Sequence, residues 1–154
     1  MAERWPAFQH FYDNEREHQR IIRALHFFNH AYHVWPANLS HITFHAALES
    51  MICTSPYNNR KQVTKRLPQL LKGMVTEDQA TAIYDLCVDV KHNAAPSLLY
   101  SASTDKIDYR DSRRQDAAIW LEDSLRHLFT KALEDNSFAK ELIDPKILES
   151  KYAI

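Results

Sequence analysis

The stretch from Tyr84 to Pro96, YDLCVDVKHNAAP, decides how the rest of the chain is interpreted. Its apolar positions recur at helical spacing as far as Val90, and small residues and a proline follow. This pattern is typical of the last turns of an amphipathic helix that runs into a small-residue loop. We therefore expect His92 to stand at the junction of helix and loop, with the upstream helices as its scaffold and a downstream helix closing over it.

The composition favours a helical protein. The chain has 154 residues, 45% of them hydrophobic and 25% charged, which is ordinary for one globular domain. Gly73 is its one glycine, whereas tight β-turns and phosphate-binding loops depend on glycine. The formal net charge of −1 indicates that any contact with nucleic acid is local. We predict an all-α fold.

The chain carries no signal of secretion or membrane insertion. It opens with MAERWPAF, and no segment approaches the roughly 18 apolar residues of a membrane span. Cys53 and Cys87 form no CxxC pair and are interpreted as reduced thiols. A cytoplasmic protein without membrane contact is expected.

Two segments have the spacing of an N-terminal capping box, in which a capping side chain and the residue three positions later bond to each other's backbone. Asn14 with Glu17 predicts the start of a helix that runs to about Val34. Thr76 with Gln79 predicts the start of the helix that leads into the stretch quoted above.

Two further helices are predicted between these capping boxes. The first begins at Asn38 or Ser40. The second covers about 60–71, and Pro68 inside it predicts a kink or an early stop. The inward positions of the first are predicted to include Ile42, Ala46 and Met51.

The remaining chain adds a long loop and two helices. Residues 93–111 are interpreted as the loop, Asp111 or Ser112 as the start of the longest helix, and Asp144 as the cap of a C-terminal one. We thus predict a bundle of five to six helices forming a single domain over 1–154. Its core covers about 20–135, and 136–154 form a C-terminal helical extension.

Four segments in this order resemble the HEPN superfamily, and within it the ApeA-like branch. They are HAALESMICTSP (45–56), RKQVTKRLPQLL (60–71), IYDLCVDVKHN (83–93) and WLEDSLRHLF (120–129). The resemblance covers about 20–135 and implies an HEPN-like helical bundle, commonly a homodimer. Many HEPN proteins are metal-independent endoribonucleases of toxin–antitoxin and antiviral defence systems. Their motif is an arginine four to six residues before a histidine, and two motifs face each other across the dimer.

The resemblance assigns site residues one by one. His92 falls on the family histidine, the proton donor or acceptor for RNA cleavage, and Glu49 falls on the supporting acidic residue. Asn93 follows the histidine in the loop. Cys87 falls on the family arginine, so the motif is degenerate, because cysteine offers neither charge nor a donor fork for phosphate. Lys91 is the candidate replacement cation, and Cys87 is expected to face the core.

The other histidines and the basic residues are secondary candidates. His26, His30 and His33, and likewise His41 and His45, have helical spacing that can share a metal; without a carboxylate in such a motif we predict helix-surface or interface polarity, and neither metal nor cofactor. A basic face is predicted either to be solvated or to contact RNA phosphates beside the dimer cleft. It comprises Arg60, Lys61, Lys65, Arg66, Arg113 and Arg114.

Three functions remain open from the sequence. The first is an HEPN-like protein of a defence or toxin-type system that is catalytically weakened or inactive and acts by binding RNA or a partner protein. The second is an active metal-independent endoribonuclease that uses His92 with Lys91 or another cation. The third is a structural interaction subunit without nucleic-acid contact.

Overall fold

The structure, a computed structural model, describes the backbone of residues 5–34, 37–99, 112–152 and 154. It describes the side chains of residues 8–34, 40–88, 118–152 and 154. Within these ranges the structure contains helices joined by turns and no strand, which confirms the predicted all-α class. Of the helices in the described ranges, none is both long and apolar enough to cross a membrane.

Eight helices are described, which is more than the five to six predicted. The additional ones are the first, which the sequence suggested only as a lead-in, and the seventh. The bounds are α1 Trp5–Asp13, α2 Glu15–Ala31, α3 Ala37–Ile52, α4 Asn59–Leu70, α5 Glu77–Leu99, α6 Ser112–Glu134, α7 Asn136–Ile143 and α8 Pro145–Lys151.

The core lies where α2, α3, α5 and α6 pack together. The pair α2 and α3 makes the most extensive contact, and α3 also contacts α4, α5, α6 and α7. Apolar side chains at three- and four-residue spacing turn one stripe of each helix inward, as amphipathic helices of a bundle do. Fully buried members include Ile21, Leu48, Met51, Leu67, Leu121, Leu125, Leu128 and Leu142.

The helix α5 continues through Pro96 to Leu99, so the predicted junction at His92 and the predicted loop over 93–99 are wrong. One cause is local, since Ala94 and Ala95 are strong helix formers. Residues 100–111, the rest of the predicted loop, lie outside the described residues.

The two predicted capping boxes have different outcomes. At the start of α5, Gln79 Oε1 accepts from the Thr76 amide at 2.9 Å, and the Gln79 amide donates to Thr76 Oγ1 at 3.2 Å, as predicted. At the start of α2, Asn14 makes no side-chain cap bond. Its side-chain amide instead donates to the carbonyl of His10 at 3.2 Å. Because α1 ends directly before Asn14, that carbonyl has no hydrogen-bond partner within the helix.

The start and the inward face of α3 also differ from the prediction. The helix begins at Ala37, so neither Asn38 nor Ser40 is its cap, and the Ser40 hydroxyl donates to the carbonyl of Ala31 at 2.6 Å. Met51 is buried as predicted, whereas Ile42 and Ala46 are only half-buried. The face is rotated because both α2 and α5 pack on this helix.

The remaining predicted ends agree closely with the structure. The helix α4 ends at Leu70, two residues after Pro68, and α6 begins at Ser112. Asp144 caps α8 by accepting from the Lys146 amide at 2.8 Å. Asp135 caps the unpredicted α7 in the same way, accepting from the Ser137 amide at 2.8 Å; α7 packs on α2 and α6, which joins the C-terminal extension to the core.

Candidate functional site

Cys87, which the resemblance aligns with the arginine of the HEPN motif, is buried inside the protein. It is 1% exposed, and its Sγ lies 3.0 Å from Nε2 of His41 on α3. Burial, with a further contribution from the charge of Glu49, raises the pKa of Cys87 to about 12. The residue is therefore a neutral thiol near pH 7 and supplies neither a cation nor a thiolate. Its predicted burial is confirmed, while its pairing with His41 was not predicted.

Glu49 is the centre of a polar cluster beside this thiol. Its Oε1 accepts from the Tyr84 hydroxyl at 2.9 Å and from the Asn59 amide at 3.2 Å, and its Oε2 lies 3.9 Å from Nδ1 of His45. Burial and the bond to Glu49 raise the pKa of Tyr84. These contacts join three helices, α3, α4 and α5. We call His41, His45, Glu49, Asn59, Tyr84 and Cys87 the Glu49 cluster.

His41 and His45 correct a prediction. Expected at a helix surface or interface, they are only 3% and 4% exposed, because α5 packs on the face of α3 that carries them. The signal was present in the sequence, since both positions continue the helical spacing of Leu48 and Ile52, which are buried. By contrast, His26 and His30 lie exposed on α2, and His33 lies exposed just after its end.

Apart from the partly exposed carboxylate of Glu49, the acid–base groups of the cluster are buried, so a substrate cannot reach them in this arrangement. The cluster contains two imidazoles, a carboxylate, a phenol and a thiol. All of its residues are buried except Glu49 and Asn59, which are half-buried. Phosphoryl chemistry requires such groups within hydrogen-bond distance of the reacting oxygen. The mutual bonds instead make the cluster a tie between helices. In the described ranges no three His, Cys, Asp or Glu side chains are placed to hold a metal ion.

The side chains of Lys91, His92 and Asn93 lie outside the described residues. Their backbone belongs to α5, in the turns that follow Cys87. The predicted catalytic roles of His92 and Lys91 therefore stay predictions. Arg113 and Arg114 are in the same position, with their backbone in α6 and their side chains outside the described residues.

The exposed part of the predicted basic face carries both signs of charge. Arg60 makes a two-pronged ion pair with Asp85, with Nε–Oδ1 at 2.6 Å and Nη2–Oδ2 at 2.8 Å, which lowers the pKa of that carboxyl. Lys65 pairs with Glu77. Lys61 is exposed to solvent. Arg60, Lys61 and Lys65 thus remain accessible, and we call them the α4 basic face.

Arg66 does not belong to that face, which corrects its predicted contact with RNA. It is 2% exposed, and its guanidinium donates to the carbonyls of Ile52 at 3.0 Å and Tyr152 at 3.2 Å and to Oε1 of Gln62 at 2.9 Å. The unpaired carbonyls at the end of α3 attract a cation. Arg66 therefore fastens the C-terminal segment and α3 to α4.

The sequence around the α4 basic face contains no acidic residue for a long distance. Between Glu49 and Glu77 there is no Asp or Glu, although acidic residues slightly outnumber basic ones in the whole chain, 20 to 19. The acidic partners of this face come from α5 across the helix–helix contact. Sequence reasoning identified the cations but had no signal for their partners.

Comparisons of the chain with protein-family models, with curated proteins and with solved structures find no match.

Proposed function

We propose that this protein is a catalytically inactive HEPN-like protein of a defence or toxin-type system that acts by binding RNA. The proposal takes its family from the order of the four segments in the sequence. The observation that carries the loss of catalysis is the state of Cys87. At the position of the phosphate-binding arginine stands a neutral, buried thiol whose neighbour is an imidazole, and such a group cannot stabilise a charged phosphorane.

The α4 basic face supports RNA as the ligand. Its two ion pairs are exposed, with side-chain exposures of 55% and 52% for Arg60 and Asp85. Exposed ion pairs contribute little in water, so a phosphate can replace the carboxylate as the partner of the cation. The exposed ammonium of Lys61 adds a further contact with phosphate.

The proposal includes a homodimer whose two copies of His92 lie near the two-fold axis, as the resemblance implies. Light scattering over a range of protein concentrations measures the oligomeric state directly. A mass that stays at one chain at every concentration overturns the dimer without bearing on RNA binding.

RNA binding is tested by fluorescence anisotropy with a labelled single-stranded RNA at low and moderate salt. Lys61→Glu should weaken binding several-fold, because it reverses the charge of an exposed member of the α4 basic face. Lys140→Glu is the matched control: Lys140 is also exposed, but it lies on α7, and its variant should bind nearly as the wild type does. Equal effects of the two variants contradict a local RNA site.

A second candidate is an interaction subunit without nucleic-acid contact. The observation that favours it is the pairing of Arg60 with Asp85 and of Lys65 with Glu77, which leaves this face with a small net charge. Under this candidate the wild-type protein does not retain RNA even at low salt, and its ligand is a partner protein.

A further inference from the structure

The connection between α3 and α4 is a turn fixed from beneath by one buried side chain. Gln62 is 1% exposed. Its Oε1 accepts from the Thr54 amide at 2.8 Å, and its Nε2 donates to the carbonyls of Tyr57 at 2.7 Å and Ser55 at 3.2 Å. The same Oε1 also accepts from Arg66. A single glutamine thus satisfies several backbone groups of the turn, which restricts its motion.

The last residue of this turn adopts a constrained backbone conformation. Asn58 has φ 58° and ψ 32°, in the left-handed region. Among residues with a side chain, asparagine tolerates this region best, and it places the start of α4 at a fixed angle to the turn. We call residues 54–58 the Tyr57 turn.

Tyr57 projects from this fixed turn into solvent. It is 76% exposed, the highest value among the exposed large hydrophobic side chains in the described residues. Its neighbours in the turn offer no cover, since Ser55, Pro56 and Asn58 are exposed as well. An aromatic ring held by a rigid backbone loses little conformational entropy when it binds a ligand.

The charges next to Tyr57 favour a nucleic acid over a protein as its ligand. Arg60 and Lys61 follow within four residues, so their Cα atoms lie within about 13 Å of that of Tyr57. The whole segment between Glu49 and Glu77 lacks acidic residues. An exposed aromatic ring beside cations is the arrangement that binds single strands, in which the ring stacks on a base and the cations contact the backbone.

We propose that Tyr57 is a stacking platform for an unpaired base of RNA, while Lys61 and Arg60 contact the neighbouring phosphates. This inference rests on the proposed RNA binding and adds to it the residue that contacts the base.

The test uses fluorescence anisotropy of a labelled oligoadenylate with wild-type protein and three variants at one position. Tyr57→Ala should weaken binding about fivefold or more, because it removes one base-stacking contact. Tyr57→Phe keeps the ring and should bind within about twofold of wild type. Tyr57→Leu keeps an apolar side chain without a π face and should bind as weakly as Tyr57→Ala does.

The salt dependence separates stacking from charge. Tyr57→Ala should leave the slope of log affinity against log salt unchanged, since no phosphate contact is lost. Lys61→Ala should reduce the magnitude of that slope by about 0.7, the value for one contact with a single strand. Thermal unfolding of the Tyr57 variants should match that of the wild type, because the side chain is exposed.

The outcomes distinguish this inference from the proposed function. If wild-type protein does not bind the RNA at low salt, RNA binding and the stacking role both fail, and a protein ligand takes their place. If wild type binds and Tyr57→Ala binds equally well, only the stacking role is overturned. If Tyr57→Leu binds like wild type, the contact is apolar rather than stacking, which also overturns the inference.

Discussion

The Glu49 cluster and the α4 basic face both include residues of α4, yet they differ in what solvent can reach. In the cluster the imidazoles, the phenol and the thiol are buried, and its members contact one another across α3, α4 and α5. On the basic face Arg60 and Lys61 are exposed, and the ion pairs formed there are open to water.

The difference in exposure separates the groups that could catalyse a reaction from the groups that could bind a ligand. In the Glu49 cluster, the imidazoles, the phenol and the thiol connect helices, and a large substrate cannot approach these buried groups. The α4 basic face and Tyr57 are accessible, and we propose that they bind a phosphate backbone and its bases without cleaving it. The same helix α4 contains both behaviours, since Arg66 is buried and Lys61, five residues earlier, is exposed.

The largest expected effect is a loss of stability when the buried residue Arg66 is replaced. Arg66→Met should lower the free energy of unfolding by about 3 kcal/mol or more, because it leaves the buried carbonyls of Ile52 and Tyr152 without their charged donor. Urea denaturation followed by circular dichroism measures it. Lys61→Met on the same helix is the control and should change stability by less than about 0.5 kcal/mol. Equal effects of the two substitutions contradict the assignment.

A smaller loss is expected at the centre of the Glu49 cluster. Glu49→Ala should lower the free energy of unfolding by about 2 kcal/mol, because it leaves the Tyr84 hydroxyl and the Asn59 amide without their acceptor. Glu49→Gln retains an acceptor oxygen and should cost less. The same urea experiment decides it, and a Glu49→Ala variant as stable as Glu49→Gln would show that the hydrogen bonds to this oxygen do not matter.

The thiol at the degenerate motif position predicts a loss of stability in alkaline solution. The pKa of Cys87 is about 12 in the folded protein against an ordinary value of 9.0. The contribution of the neutral thiol to the free energy of unfolding is therefore complete below pH 9 and is lost as the pH rises towards 12. The loss is about 1 kcal/mol at pH 10. Melting temperatures at pH 8 and pH 10, measured with reductant, should fall more for wild type than for Cys87→Ser. Parallel falls would mean that the thiol ionises as readily in the folded protein as in the unfolded one.

The smallest expected effect is a change in RNA affinity when the ion pairs of the α4 basic face are removed. Asp85→Asn with Glu77→Gln frees Arg60 and Lys65 from their carboxylate partners and should tighten RNA binding about threefold at low salt. The control is Asp123→Asn with Glu134→Gln, which makes the same change of net charge at exposed positions of α6. Anisotropy titrations of both double variants measure the difference, and equal gains would assign it to overall charge alone.

Much of the fold follows from local patterns in the sequence. The Thr76–Gln79 capping box and the helix start at Asp144 both predicted what the structure contains, because each is decided by neighbours within one turn. The box at Asn14 failed for the complementary reason. Its side chain bonds to the end of a preceding helix that the sequence pattern had not identified.

The candidate site was less predictable because its contacts cross between helices. The spacing of α5 placed Cys87 on the buried face, but nothing in that spacing selects His41, 46 residues away, as its neighbour. In the sequence, nothing distinguishes Arg66 from the exposed cations of α4. It is buried because it contacts the end of α3 and the C-terminal segment, which are distant from it in the chain. Helical periodicity therefore predicts which face of a helix a residue lies on, whereas tertiary packing determines which residue it contacts.

The measurement that tests the central claim most directly is incubation of a mixed RNA pool with purified protein in EDTA, comparing wild type with His92→Ala. Retention and cleavage are read from the same samples, by native and denaturing electrophoresis. We predict that wild-type protein retains RNA and leaves it intact, and that His92→Ala is likewise without cleavage. Cleavage by wild type that disappears in His92→Ala would contradict the account, because it would mean an active nuclease that has replaced its missing arginine.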